Sequence, residues 1–173
     1  KSYFITQKLI IRACNQPIKI LVCRRYGTTI RKTCFSLFKR ILKKWKLYPQ
    51  YVQIRETDFH IQFPNGSEIM FTGLDEETKL LSLHDIAVVF IEEAFEVPKD
   101  IVDQLNLRLR GTAENKQIIL AFNPISKRHW LYKFCEEEPP QSFLYTHSTY
   151  KDNPFLDKEN YNALEEMKTR NPA

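Results

Sequence analysis

The sequence has no long apolar run, no paired cysteine motif and, in its first third, no acidic residue. The longest apolar run, from Ile86 to Ile91, has six residues, which is far too short to span a membrane. The four cysteines are widely spaced, with no C-x-x-C pair and no histidine at ligand spacing. This pattern argues against a zinc site and favours reduced thiols in a cytosolic compartment.

Acidic residues are missing from residues 1–55, which hold 8 Lys and 6 Arg before the first carboxylate, Glu56. The other 118 residues hold 12 basic and 21 acidic residues, a net charge of −9. Such a division favours a basic face that contacts nucleic acid or another polyanion, with an acidic region elsewhere. A solvated helix face, with charges offset by acidic neighbours in the fold, remains the alternative.

Apolar residues at helical spacing alternate with nearly continuous apolar runs along the whole chain. Helices are predicted over residues 3–14, from a cap at Thr28 or Thr29 to Trp45, and over 76–83, 98–110, 130–134 and 157–167, the last capped by Asp157. Strands are predicted over residues 18–23, 51–56, 59–63, 67–72, 87–91, 117–122 and 143–149. Pro64-Asn65-Gly66 is a hairpin turn pattern.

The sequence shows no internal repeat, low-complexity segment or linker. The alternation of strands and helices, with strands apolar on both faces, predicts one α/β domain over residues 1–173. We expect a mostly parallel sheet flanked by helices, plus an antiparallel hairpin.

Two predicted strands end in polar residues suited to chemistry. Glu92 and Glu93 follow the apolar run at 86–91, where one acid can hold a hydrated Mg²⁺ and the other can orient an attacking water. Asn123, before Pro124, ends the strand at 117–122 and can sense a γ-phosphate or hold a water through its amide. Each pattern also has an explanation without function. The acid pair can be the point where a strand emerges into a charged loop, and Asn123-Pro124 can be an ordinary turn at a strand end.

Lys1 and Ser2 stand directly before the first predicted helix. In the P-loop pattern G-x-x-x-x-G-K-[ST], the lysine reaches the β- and γ-phosphates and the hydroxyl ligates Mg²⁺. A Lys-Ser pair alone is uninformative, but its place before a helix and ahead of the acid pair gives it weight.

Together these stretches resemble the large terminase subunit of tailed bacteriophages, an ATP-driven DNA-packaging motor. The resemblance covers nearly the whole chain, with order and spacing in agreement. It rests on residues 71–75 (FTGLD), 90–94 (FIEEA), 107–110 (LRLR), 122–124 (FNP) with 129–132 (HWLY), and 148–156 (STYKDNPFL), of which the last string is the most specific.

The resemblance implies a P-loop NTPase of the additional-strand, catalytic-glutamate type that uses ATP and Mg²⁺. Lys1 and Ser2 would bind nucleotide, with Ser2 and Glu92 holding the metal. Glu93 would be the catalytic glutamate, and Asn123 would couple hydrolysis to movement. The implied partners are double-stranded DNA, a portal protein, a small terminase subunit and other copies of the chain in a ring, in the host cytoplasm and without a membrane.

A ring motor of this kind also needs a cation from the neighbouring subunit to meet the charge on the γ-phosphate. Arg108 and Arg110 lie at the end of a predicted helix, and Lys79 precedes the acid-pair strand where related motors place such a residue. Arg110 is preferred, because guanidinium matches phosphate oxygens bidentately. A helix C-terminus also favours positive charge without function, and a solvated helix face explains Lys79 equally well.

The sequence departs from the resemblance at both ends. The Gly-rich loop and its preceding strand are missing, so we expect a truncated start. No C-terminal nuclease domain follows, so no nuclease activity is expected. A helicase-like ATPase and a non-catalytic nucleic-acid-binding or assembly domain of the same fold remain alternatives.

Overall fold

The computed structural model describes residues 1–75, 84–109, 115–123 and 126–170. Contacts within the chain divide it into two compact units, Lys1–Tyr132 and Lys133–Ala173. Compact units need not be separate domains, so the expectation of a single domain stays a prediction. The predicted helix at residues 76–83 lies outside the described residues.

The first unit alternates strands with helices, as the apolar patterns predict. Its helices are α1 (Ser2–Asn15), α2 (Gly27–Ile30), α3 (Ser36–Lys44), α4 (Lys99–Arg108) and α5 (Trp130–Tyr132). A π-helical segment, Arg31–Phe35, joins α2 to α3, and a 3₁₀ turn, Ala94–Glu96, follows the fifth strand. The strands are β1 (Lys19–Arg24), β2 (Gln53–Arg55), β3 (His60–Gln62), β4 (Glu68–Gly73), β5 (Ile86–Glu92) and β6 (Gln117–Ala121).

The six strands form one mixed sheet in the order β2-β3-β4-β1-β5-β6. Strands β4, β1, β5 and β6 are parallel, while β3 runs antiparallel to both β2 and β4. Gly66, with φ 86, makes the turn between β3 and β4, which confirms the predicted hairpin. Because parallel strands point the same way, the carboxyl ends of β1, β4, β5 and β6 share one edge of the sheet, where ligands bind in folds of this class.

Between their ends, strands β1 and β5 are continuously apolar because the sheet is covered on both faces there. In β1, Ile20 and Val22 belong to a core cluster shared with α1 and α3, while Leu21 and Cys23 belong to a second cluster shared with α4. From Val88 onward β5 alternates in the same way, and six of its seven residues are buried. Two covered faces explain why these strands show a continuous run rather than a period of two.

Helix α1 runs from the carboxyl edge of the sheet to the hairpin turn. At its far end, the Asn65 side-chain amide donates to the carbonyls of Ala13 (2.8 Å) and Cys14 (3.2 Å). These contacts satisfy carbonyls that a helix C-terminus leaves without partners.

The helical stretch after β1 differs from its prediction in two ways. A π-helical segment interrupts the predicted helix, and its adjacent residues Cys34 and Phe35 are both buried, at 1% and 2% exposed. Neither Thr28 nor Thr29 caps the helix, which begins at Gly27 without a side-chain cap from its own first turn. The Thr29 hydroxyl donates instead to the Tyr26 carbonyl.

The second unit contains a π-helical segment (Lys133–Glu137), a 3₁₀ turn (Tyr150–Asp152) and helix α6 (Lys158–Arg170). The Asp157 carboxylate accepts from the backbone N–H of Asn160 (2.8 Å), which confirms the predicted cap. The hydroxyl of Tyr150 donates to Glu165 (2.5 Å), and this hydrogen bond raises the pKa of Tyr150 to about 12. The string at residues 148–156 therefore forms a turn tied to α6.

The predicted strand at residues 143–149 is wrong, because this segment pairs with no strand in the described part of the chain. Alternation places Phe143 and Tyr145 on one side, where their rings stack 6.2 Å apart and Phe134 meets Phe143 edge-on. Leu144 between them is 87% exposed. Within the described residues, no helix has both the length and the apolar character needed to cross a membrane.

Candidate functional site

The acid pair stands at the carboxyl end of β5, as predicted. Glu92 is the last residue of the strand and is half-buried, directly after the buried Ile91. Glu93 follows with φ 52 and ψ 50, a left-handed conformation that is strained for a residue with a side chain. Such backbone conformations occur preferentially at functional sites, where the surrounding structure holds them.

The start of α1 meets this acid pair although the residues are far apart in sequence. The Ser2 hydroxyl donates to Glu92 Oε1 at 2.5 Å. The Lys1 ammonium donates to the Phe122 carbonyl at 2.7 Å and to Asn123 Oδ1 at 2.6 Å, at the end of β6. The fold thus brings together three groups of residues that the sequence singled out separately: the Lys-Ser pair, the acid pair and the asparagine at the strand end.

These residues line a small cleft at the carboxyl edge of the sheet. Its volume is about 40 Å³, room for about three water molecules rather than a whole nucleotide. The lining combines one cation, two acids, a hydroxyl and an amide with two apolar residues, namely Lys1, Glu92, Glu93, Ser2, Asn123, Ala121 and Phe122. A hydroxyl beside a carboxylate offers the hard oxygen ligands that Mg²⁺ prefers, and the adjacent ammonium suits phosphate oxygens.

A buried thiol also contacts Glu92, which the sequence did not reveal. Cys34 Sγ lies 3.6 Å from Glu92 Oε2, and Cys34 is 1% exposed. Burial, and secondarily the negative charge of Glu92, raises the pKa of the Cys34 thiol to about 12. The thiol therefore stays protonated at neutral pH and can donate to the carboxylate. Neither the spacing of Cys34 nor its neighbours in sequence indicates this contact.

The backbone after the acid pair is held by the segment that follows β6. The Trp130 indole N–H donates to the Val97 carbonyl at 2.9 Å, and His129 Nε2 lies 3.0 Å from the Phe95 carbonyl. These contacts give a structural reason for the string at residues 129–132: it fixes the turn that carries Glu93.

The end of β4 and the start of α2 approach closely through their backbones at the same edge of the sheet. A Cβ on Gly73 would lie 2.3 Å from the Gly27 nitrogen and 2.5 Å from its Cα, so position 73 requires glycine. The Asp75 carboxylate accepts from the Gly27 N–H at 3.2 and 3.3 Å, and so caps α2 in place of the predicted threonines. The string at residues 71–75 contains two of these residues, but sequence reasoning assigned them no role.

Of the candidate trans-acting cations, the structure describes only Arg108. Arg108 is the last residue of α4, half-buried, and is not among the residues that line the cleft. Arg110 and Lys79 lie outside the described residues, as does Pro124. Their roles stay predictions.

Comparison with known proteins gives a consistent result. The family described as phage terminase large subunit matches residues 1–173. The PBSX phage terminase large subunit of Bacillus subtilis (strain 168) is 29% identical, over 99% of this chain and 44% of its own length. The terminase large subunit of Bacillus phage SPP1 is 27% identical, over 99% of this chain and 43% of its own. The chain thus spans less than half the length of these relatives.

Solved structures show the same fold. The large terminase of a thermophilic bacteriophage, in complex with ADP, superposes with a TM-score of 0.75, at 19% identity, over 96% of this chain and 42% of its own. The same terminase in complex with ATP-γ-S gives a TM-score of 0.73, at 18% identity, over 100% of this chain and 42% of its own. The fold is that of a P-loop NTPase, as the sequence predicted.

Proposed function

Because the chain belongs to the phage terminase large subunit family, we propose that residues 1–173 form the ATP-hydrolysing part of a motor that moves double-stranded DNA into a viral procapsid. The observation that carries this proposal is the meeting of Lys1, Ser2, Glu92 and Asn123 in one cleft, through hydrogen bonds that span 90 to 122 residues of sequence. A related terminase whose solved complexes contain ADP and ATP-γ-S supports a nucleotide as the ligand.

The residues present fit ATP and Mg²⁺. Ser2 and Glu92 would hold the metal, since their oxygens already lie 2.5 Å apart, and Lys1 would contact phosphate oxygens. When bound, the triphosphate would supply the electrophilic γ-phosphorus, and Mg²⁺ would offset the negative charge of the phosphate oxygens. Glu93, next to Glu92 at the strand end, orients the attacking water and accepts its proton.

Asn123 would link the nucleotide to movement. Its side-chain oxygen accepts from Lys1, so a change at the phosphate that draws Lys1 away also changes the partner of Asn123. The segment after Asn123 leads to His129 and Trp130, which contact the backbone beyond the acid pair. Through these contacts, the loss of the γ-phosphate would be transmitted from the cleft to the backbone beyond the acid pair.

The test measures the ATP affinity of the full-length protein in two single variants, Lys1→Ala and Lys8→Ala. Lys1→Ala should weaken ATP affinity by about tenfold or more, since it removes a charge-assisted contact. Lys8→Ala is the matched control, because Lys8 is exposed on α1 but does not line the cleft. Equal effects of the two variants, or none from Lys1→Ala, would refute the nucleotide site.

The basic surface of the helical stretch at residues 27–46 supports double-stranded DNA as the partner. Six of its basic side chains are exposed and make no salt bridge to any described residue: Arg31, Lys32, Arg40, Lys43, Lys44 and Lys46. Lys39, which pairs with Glu56, is the exception among the described lysines and arginines of this stretch. Exposed cations that make no salt bridge can contact the phosphate backbone without reading sequence.

The DNA assignment is tested by the salt dependence of binding. The double variant Arg40→Ala/Lys44→Ala should weaken DNA binding and lower the slope of log affinity against log salt by about 0.9 for each phosphate that the protein no longer neutralises. Lys158→Ala/Lys168→Ala, on α6, is the charge-matched control. If both doubles change the slope equally, the stretch is only a solvated face.

The proposal includes the rest of the motor. The chain would assemble into a ring of identical subunits, with a portal protein and a small terminase subunit as partners, in the host cytoplasm. Arg110, Arg108 or Lys79 would supply the trans-acting cation, with Arg110 preferred.

A further inference from the structure

Glu92 has a hydrogen-bond partner on each of its two carboxylate oxygens. Ser2 donates to Oε1, and Cys34 lies at donor distance from Oε2, 3.6 Å away, which is ordinary for sulfur. The terminal torsion of a glutamate is broad and does not fix the carboxylate plane by itself. Two donors on opposite oxygens fix it.

The fold brings Cys34 to this position by an irregular stretch of helix. Cys34 lies in the π-helical segment Arg31–Phe35, between two α-helical stretches. Cys34 and the adjacent Phe35 belong to the same core cluster, and both are buried. Single π-helical turns inside α-helices are found frequently at functional sites.

We propose that Cys34 is a positioning residue for the metal-holding carboxylate of Glu92, and that its thiol sets how readily the cleft takes up Mg²⁺. The inference rests on the proposed function, since it assigns a role to a neighbour of the same site. Cys34 is not among the residues that line the cleft. Its effect passes through Glu92 alone.

The size of the effect follows from the kind of contact. Groups that orient a metal ligand change metal affinity by about 10- to 100-fold when removed. A thiol is a weak donor, so the lower end applies, about tenfold. The change should fall on the Mg²⁺ requirement and leave nucleotide binding without metal unaltered.

The experiment compares four forms of the full-length protein: the unaltered protein, Cys34→Ala, Cys34→Ser and Cys23→Ala. The affinity of each form for a fluorescent, non-hydrolysable ATP analogue is measured while MgCl₂ is titrated. The quantity compared is the Mg²⁺ concentration that produces half of the maximal increase in this affinity. Serine restores a donor at nearly alanine's size, so the pair isolates the hydrogen bond. Cys23 is equally buried but belongs to the core cluster on the other face of the sheet, so Cys23→Ala controls for the removed volume.

We expect Cys34→Ala to need about ten times more Mg²⁺, Cys34→Ser less than about three times more, and Cys23→Ala the same amount as the unaltered protein. Affinity in EDTA should be equal for all four. If Cys34→Ala does not fold, as judged by its melting curve, Cys34→Val fills the space of the thiol without a donor and takes its place.

Three results would overturn the inference: an unchanged Mg²⁺ requirement in Cys34→Ala, an equal shift in Cys23→Ala, or a Cys34→Ser variant as impaired as Cys34→Ala. The proposed function fails differently. If the unaltered protein binds no nucleotide, or if Mg²⁺ does not increase its affinity, both the nucleotide site and the role of Cys34 are refuted. If the unaltered protein responds to Mg²⁺ and Cys34→Ala responds equally, only the role of Cys34 is refuted.

Discussion

Gly73→Ala should destabilise the protein strongly, although it adds only one methyl group. That methyl would lie 2.3 Å from the Gly27 nitrogen, 2.5 Å from the Gly27 Cα and 2.3 Å from Asp75 Oδ1. The first two atoms are backbone, so no rotamer change relieves the clash and the end of β4 must separate from the start of α2. Overpacking of this kind costs about 1–3 kcal/mol. The separation also breaks the charge-assisted contact from the Gly27 N–H to Asp75, worth about 1.5–3 kcal/mol.

The sum, about 2.5–6 kcal/mol, is a large share of the roughly 5–15 kcal/mol by which a domain is stable. For a chain of this size, it lowers the melting temperature by on the order of 10 °C. The assay is thermal and urea unfolding of the full-length protein, followed by circular dichroism.

Alanine substitutions at two other glycines test whether the loss of stability comes from this steric clash or from replacing any glycine. At Gly27 a Cβ would meet its nearest atom, Asp75 Oδ1, at 3.6 Å, so Gly27→Ala should be nearly neutral although it lies in the same contact. At Gly66 nothing lies within 4 Å, but φ is +86, so Gly66→Ala should cost about 1–2 kcal/mol through backbone strain alone. A Gly73→Ala variant as stable as Gly27→Ala would show that the reasoning is wrong.

The remaining predictions concern the reaction. Glu93→Gln should bind ATP normally and hydrolyse it at least ~100-fold more slowly, measured by phosphate release, and near-normal turnover would remove Glu93 from the mechanism. Asn123→Ala should keep part of the hydrolysis while DNA movement fails; an equal decrease in both would favour a purely catalytic or folding role. Mixed rings of Arg110→Ala and Glu93→Gln subunits, each inactive alone, should regain ATPase activity if Arg110 acts in trans. Recovery only in mixtures that contain Lys79→Ala would assign that role to Lys79.

The sequence predicted the parts of the fold that depend on local pattern. The runs at 18–23, 86–91 and 117–122 are apolar because both faces of the sheet are covered, and all three form strands. Alternation misled at residues 143–149, because it shows which side chains share a face but not whether a partner strand exists. Phe143 and Tyr145 share a face and stack on each other.

Contacts between distant residues were less predictable. Thr28 and Thr29 matched the capping pattern, yet the Gly27 N–H is taken by Asp75, a residue 48 positions away. The π-helical segment Arg31–Phe35 is not visible in the helical spacing, because one inserted residue shifts the register only after it occurs. The meeting of Ser2 with Glu92 could be expected from the resemblance, but the hydrogen bond itself depends on where α1 begins relative to the end of β5.

Helix α1 also acts as a strut between the two edges of the sheet. It has 14 residues, a length of about 21 Å, and is fastened at one end by Ser2 to Glu92 and at the other by Asn65 to the carbonyls of Ala13 and Cys14. An α-helix changes little in length, so a displacement at one end moves the other end. A shift of Ser2 by about 1 Å away from the hairpin turn would therefore lengthen the 3.2 Å contact between Asn65 and Cys14 beyond hydrogen-bond range, unless the turn moved with the helix. Helix α1 therefore couples the position of the hairpin turn, at the far end of the sheet, to the position of the Glu92 carboxylate.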